Sequence, residues 1–152
     1  MIKMKMKNYI ITLSKVFPKT HKRKGEATFF EEKFRKQKLH TIRANYDLWK
    51  KRFEEIEKGK AVLSVRQWTG TPYRSKQREI ACLTDIDGIG IQKLRSFDKD
   101  TAYFVGNNGN VLPVPLQELA NNDGLSLNEW KGWFENNAKL PLGIIHFTKF
   151  RY

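Results

Sequence analysis

Residues 38 to 43, KLHTIR, bring an amine, a hydroxyl and a guanidinium into one short segment as Lys38, Thr41 and Arg43. These three types could perform chemistry together. An amine withdrawn from water has a lowered pKa, and its neutral form can take a proton from a hydroxyl nucleophile. On a regular strand, Thr41 and Arg43 share one face and Lys38 points to the other. Lys38 therefore joins them only if the chain bends before the strand, so that its long stem swings the amine back toward the threonine. The plain alternative is a solvated strand edge, and spacing alone leaves both readings open. His40 alternates away from Thr41 and reads as a surface or partly buried histidine rather than a further member of the set.

The elements around this cluster follow from periodicity. Tyr9, Ile10, Ile11, Leu13, Val16 and Phe17 form an apolar, β-branched run ended by Pro18, which predicts a first strand followed by a basic loop, PKTHKRKGE. Thr28 and Glu31 have capping-box spacing and Phe30 and Phe34 lie one turn apart, so a short helix is expected over 28–37. From Asn45, Tyr46, Trp49, Phe53 and Ile56 recur at helical spacing until Gly59, predicting an amphipathic helix. The segments 61–68 and 78–86 read as a hairpin, and a further strand is expected near 88–94. AYFV and VLPV flank GNNGN, whose Asn-Gly steps suit a tight turn. Residues 115–122 allow a short helical turn. Ser126 and Glu129 repeat the capping-box spacing ahead of Leu127, Trp130 and Phe134, and GIIHFTKF closes the chain as a strand. Strands outnumber helices and most are tightly joined, so the expected fold is α+β, a mostly antiparallel barrel-like sheet with two or three packed helices.

Composition limits what such a cluster could serve. The 152 residues fit one domain, 1–152, with residues 1–26 an added strand and basic loop. The single cysteine, Cys82, excludes an internal disulfide and reads as inert core, and three scattered histidines offer no metal-ligand spacing. No metal and no cofactor are expected. Lysines interrupt the apolar residues near the start, so neither a signal peptide nor a membrane span is read there, and a cytoplasmic protein is expected. The charge is strongly positive: 29 Lys and Arg against 16 Asp and Glu, net +13. Residues 1–60 hold 18 of the basic residues against 7 acidic ones, whereas 61–152 hold 11 against 9. That asymmetry points to a polyanionic partner such as RNA, or otherwise to solubility alone.

The hairpin SVRQWTGTPYRSKQRE interleaves Arg66, Trp68, Tyr73, Arg74, Lys76 and Arg78. Rings beside cations suit unpaired bases and their phosphates, so this loop is the leading nucleic-acid contact. The competing reading of Trp68 places its ring in the core. THKRKGE is a second basic candidate, and Trp49, Trp130 and Trp133 read as packing residues.

The run FFEEKFRKQKLHTIR resembles the signature of the ASCH family, a branch of the PUA-like β-barrels, whose motif is Gly-x-Lys-Thr-x-Thr-x-Arg after a helix with paired phenylalanines. Lys38, Thr41 and Arg43 match it; Lys36 stands for the glycine and Leu39 for the first threonine. The order of elements from about residue 27 is also similar to small ASCH proteins. The resemblance implies a PUA-like barrel and a cleft that binds RNA or a modified nucleoside, with Arg43 and Asn45 on the ligand. One branch of the family, the bacterial N(4)-acetylcytidine amidohydrolases, uses a lysine, a threonine and a glutamate. By that resemblance Thr41 would be the nucleophile, Lys38 its base, and Asp123, one methylene shorter than glutamate, the carboxylate.

Overall fold

The computed structural model describes residues 5–136 and 138–152. Its strands form two separate sheets rather than one closed barrel. In the first, β1 (Lys7–Thr12) lies parallel to β3 (Ala61–Trp68), which pairs antiparallel with β4 (Gln77–Leu83). The second is wholly antiparallel, in the order β2 (His40–Arg43), β8 (Leu142–His146), β5 (Gly90–Phe97), β6 (Thr101–Val105), β7 (Val111–Pro115). The α+β class and the antiparallel majority are as expected, whereas closure is not. Chain neighbours β4 and β5 do not pair, because a 3-10 turn at Asp85–Asp87 separates them and β5 pairs with β8 instead.

Four α-helices are present among the described residues: α1 (Phe30–Lys33), α2 (Tyr46–Glu57), α3 (Leu116–Asn122) and α4 (Leu127–Phe134). Helix α2 forms because Trp49, Phe53 and Ile56 repeat at helical spacing and bury one stripe against β3, β5 and β8. Full burial of each such side chain is worth about 1.5–3 kcal/mol. Asn45 begins it in a left-handed conformation (φ 63°), and its side chain accepts a hydrogen bond from the Leu48 amide at 3.3 Å. Helix α4 starts at the expected capping box: Ser126 accepts from the Glu129 amide and Glu129 accepts from the Ser126 amide.

Other local expectations shift. The first strand stops at Thr12, and residues 13–17 run on as irregular chain. The helix expected over 28–37 is a single turn. Thr28 donates its hydroxyl to the Ser14 and Lys15 carbonyls, and the positive φ of Arg35 (63°) prevents continuation. Cys82 is exposed, not core, because β4 is the outer strand of its sheet and turns that residue to solvent. The final strand ends at His146, after which Phe147 and Tyr152 pack back on the core.

Candidate functional site

Lys38 lies just ahead of β2, where it forms an isolated bridge to Asp123, the residue that ends α3. The Leu39 amide donates to the Asn122 carbonyl at 2.7 Å and fixes that bend. The departure from strand geometry sends the Lys38 amine to the side of Thr41 and Arg43, so that all three line one cavity with Asp123. Gly124, in a left-handed conformation (φ 77°), lets the chain leave α3 past the lysine; a Cβ there would lie 3.0 Å from Lys38 Cβ.

The amine of Lys38 donates to Asp123 Oδ1 at 2.7 Å and to the Asp123 carbonyl at 2.9 Å. It also sits 4.0 Å from the centre of the Phe30 ring. Lys38 and Asp123 are each only 2% exposed, the sole lysine or arginine pair with a carboxylate that is buried on both sides among the described residues. Burial pushes the Lys38 amine below its ordinary pKa, and the Asp123 charge opposes that shift. Burial acts to raise the Asp123 carboxyl, but Lys38 and His40 more than offset it and hold it below the usual range. The two shifts oppose each other across the pair: burial favours a neutral amine, while the carboxylate favours the ammonium and is itself held charged by it.

Arg43 donates to the Thr41 hydroxyl at 2.9 Å, to the Ile42 carbonyl at 3.0 Å and to the Thr12 carbonyl at 2.5 Å. The guanidinium thus presents a positive charge to the only side-chain oxygen on that strand face and ties β2 to the end of β1. A cation donating to a hydroxyl stabilises its deprotonated form.

His40 corrects the sequence reading. It is wholly buried, and its Nδ1 lies 3.6 Å from Asp123 Oδ1. On its other side Nε2 meets the Tyr152 hydroxyl at 2.6 Å, which accepts from Asn122 Nδ2 at 3.1 Å. With the ring proton on Nδ1, the side that faces the Asp123 carboxylate, Nε2 accepts from the Tyr152 hydroxyl. Burial lowers the His40 pKa, so the ring stays neutral. A polar line thereby runs from Asn122 through Tyr152 to His40, whose Nδ1 faces Asp123 without a hydrogen bond to it. Sequence gives one faint signal for it, since Asn122 adjoins Asp123; nothing local points to Tyr152.

The cavity is about 30 Å³, room for one or two water-sized groups. Phe30, Trp133 and Phe134 form an aromatic wall to it, and Leu13 and Leu125 also line it. Ligand pockets usually measure about 300–1,000 Å³, so a nucleoside enters only if this aromatic wall moves; an acetyl head alone is close to the available space. Trp133, expected only to pack, is part of that wall.

The remaining expected residues lie elsewhere. Asn45 is exposed and its side chain is engaged as the cap of α2. Arg66 donates to Ser64 and Gln77, and Arg78 pairs with Glu31. Trp68 is half-buried and its ring packs tilted, by 49°, against Tyr73, ring centres 5.1 Å apart, while Tyr73 is 90% exposed. Arg74 and Lys76 are exposed and carry no ion pair among the described residues. No group of His, Cys, Asp and Glu that could hold a metal is found among those residues, and no described helix is long and apolar enough to cross a membrane. Comparison with protein-family models, curated proteins and solved structures gives no match to this chain.

Proposed function

We propose that the chain is a PUA-like, ASCH-type domain that binds RNA or a modified nucleoside at the cavity of Lys38, Thr41 and Arg43, with the β3–β4 hairpin as a second contact. The observation that carries this reading is the convergence of Lys38, Thr41, Arg43 and Asp123 on one buried cavity, although Lys38 and Asp123 are 85 residues apart in sequence. A buried ion pair is an expensive way to stabilise a core, since apolar residues of similar size do as well or better. A buried ion pair beside a hydroxyl and a guanidinium is an arrangement that ligand sites favour. The net charge of +13 supplies the attraction for a polyanion.

A second reading, hydrolysis of an N(4)-acylated cytidine, is favoured by the lowered pKa of Lys38 and by a cavity close to acetyl size. Neutral Lys38 would take the Thr41 proton as Oγ1 attacks the acyl carbon. The carbon–nitrogen bond would then break, the lysine proton would pass to the departing amine, and water would release acetate from Thr41.

The test is binding and turnover of N(4)-acetylcytidine by the wild-type protein and Thr41→Val, which keeps the shape and removes the hydroxyl. Binding weakened in the variant supports the nucleoside site, and turnover lost with it supports hydrolysis. Equal affinity in both proteins refutes the placement of ligand at Thr41.

A further inference from the structure

Residues 12–19 contribute Leu13, Ser14 and the Thr12 carbonyl to the proposed site, and they also form one wall of a mainly apolar groove. Its volume is about 540 Å³, within the ordinary range for ligand sites and far larger than the cavity. Val16, Phe17 and Pro18 make one side; Trp68, Pro72 and Tyr73 make the other. We infer that this groove binds unpaired bases of single-stranded RNA and leads the strand to the Lys38 cavity, so that the ligand of that site is a polymer rather than a free nucleoside. The inference deepens the proposed function and rests on it.

Both walls are held in place. The Leu13 amide donates to the Arg66 carbonyl at 2.8 Å, and Phe17 and Thr28 amides donate to Glu26 and Lys15 carbonyls, pinning the first wall between β3 and residues 26–28. On the other wall, Thr69 donates twice to the Lys76 carbonyl, and Ser75 Oγ accepts from the Gly70 amide while donating to the Thr71 carbonyl. This closed loop holds Tyr73 at a positive φ of 65° with its ring almost fully in solvent. A bulky residue kept in that conformation with its ring unburied is a recurrent feature of binding loops. A prearranged ring pair offers a face on which any base stacks.

The charge around the groove selects the occupant. Lys15 and Lys19 line one wall, and Arg74 and Lys76 follow Tyr73 in sequence just beyond the other, where both are exposed; residues 12–19 and 68–76 contain no Asp or Glu. A proline-rich peptide could lie on the same rings but would leave four cations without counter-charge, whereas a nucleic-acid backbone supplies it. Leu13 and Ser14 line both the groove and the cavity, so the two spaces adjoin. A base splayed from a strand in the groove thus has a short path to Thr41.

The experiment measures binding of a fluorescein-labelled oligouridylate of about ten nucleotides, within the site sizes of single-strand binders, to the wild type, Tyr73→Ala and the double variant Lys15→Glu/Lys19→Glu. These side chains are exposed, so the fold survives their loss. Tyr73→Ala is expected to weaken affinity by about five- to 150-fold. If all four cations meet phosphates, log Kd against log salt has a slope of about 2.8 in the wild type and about 1.4 in the lysine variant. Unchanged affinity in both variants, or equal competition by a duplex or by a proline-rich peptide, overturns the groove. Should the wild type bind no oligouridylate yet bind N(4)-acetylcytidine, the groove fails and the cavity reading stands. If the groove variants weaken oligouridylate binding while Thr41→Val leaves it unchanged, the groove is upheld and its link to the cavity is overturned.

Discussion

Replacing the buried ion pair as a unit separates its contribution to stability from its contribution to ligand binding. In Asp123→Leu, the Lys38 amine stays 2% exposed with only a backbone carbonyl and the Phe30 ring for company. Removing one member of such a pair costs about 3–5 kcal/mol, which is a lowering of Tm by about 6–20 °C for a chain of this length. Lys38→Met alone strands the carboxylate, with His40 Nδ1 too distant at 3.6 Å to bond it well, and is expected to cost a similar amount. The double variant Lys38→Met/Asp123→Leu leaves no uncompensated charge. Its gain from apolar packing is about 1–4 kcal/mol, against about 1–3 kcal/mol for the carbonyl of residue 123 that loses its donor. The double variant should therefore lie between about 2 kcal/mol less and about 3 kcal/mol more stable than the wild type, while the two single costs sum to about 6–10 kcal/mol. Urea unfolding of all four proteins gives the coupling directly. Ligand affinity should be lost in the double variant despite its recovered stability. Additive single costs, or a double variant that binds as the wild type does, would refute the view that the pair is kept for function.

The histidines give a pH signature. Burial pushes the His146 pKa down to about 2 from 6.5, so below pH 6.5 the unfolded chain takes up a proton that the folded chain refuses. Stability is full above that pH and falls by about 1.4 kcal/mol per unit as pH drops. His146→Gln should retain about 2.3 kcal/mol that the wild type loses between pH 6.5 and 4.5, read from urea midpoints; parallel acid limbs would contradict the neutral assignment. At Asn45, Asn45→Gly suits the left-handed backbone and should change stability by a few tenths of a kcal/mol, whereas Asn45→Ala should cost about 1–2 kcal/mol. Nucleoside affinity should stay constant in both; a loss in Asn45→Gly would return this residue to the ligand site.

The sequence by itself determined the features that depend on a few neighbouring residues. The stripe of Trp49, Phe53 and Ile56 fixes α2, the Ser126–Glu129 box starts α4, and the 61–68 and 78–86 runs predict a hairpin, whose second strand the structure ends earlier, at Leu83. Even the bend that Lys38 requires could be stated beforehand, because a strand's alternation leaves no other way to bring it beside Thr41. Only the tertiary structure decided pairings between distant segments: β1 parallel to β3, β5 against β8, and two open sheets in place of a barrel. It also decided burial, which no local pattern fixes on its own. Cys82 lies on an outer strand and is exposed, while His40 is enclosed because Tyr152, from the far end of the chain, folds over it. The chemistry of Lys38 belongs with these, since an amine's proton affinity is set by the water it has lost and the charge it meets, and the aromatic wall and Asp123 come from other parts of the chain.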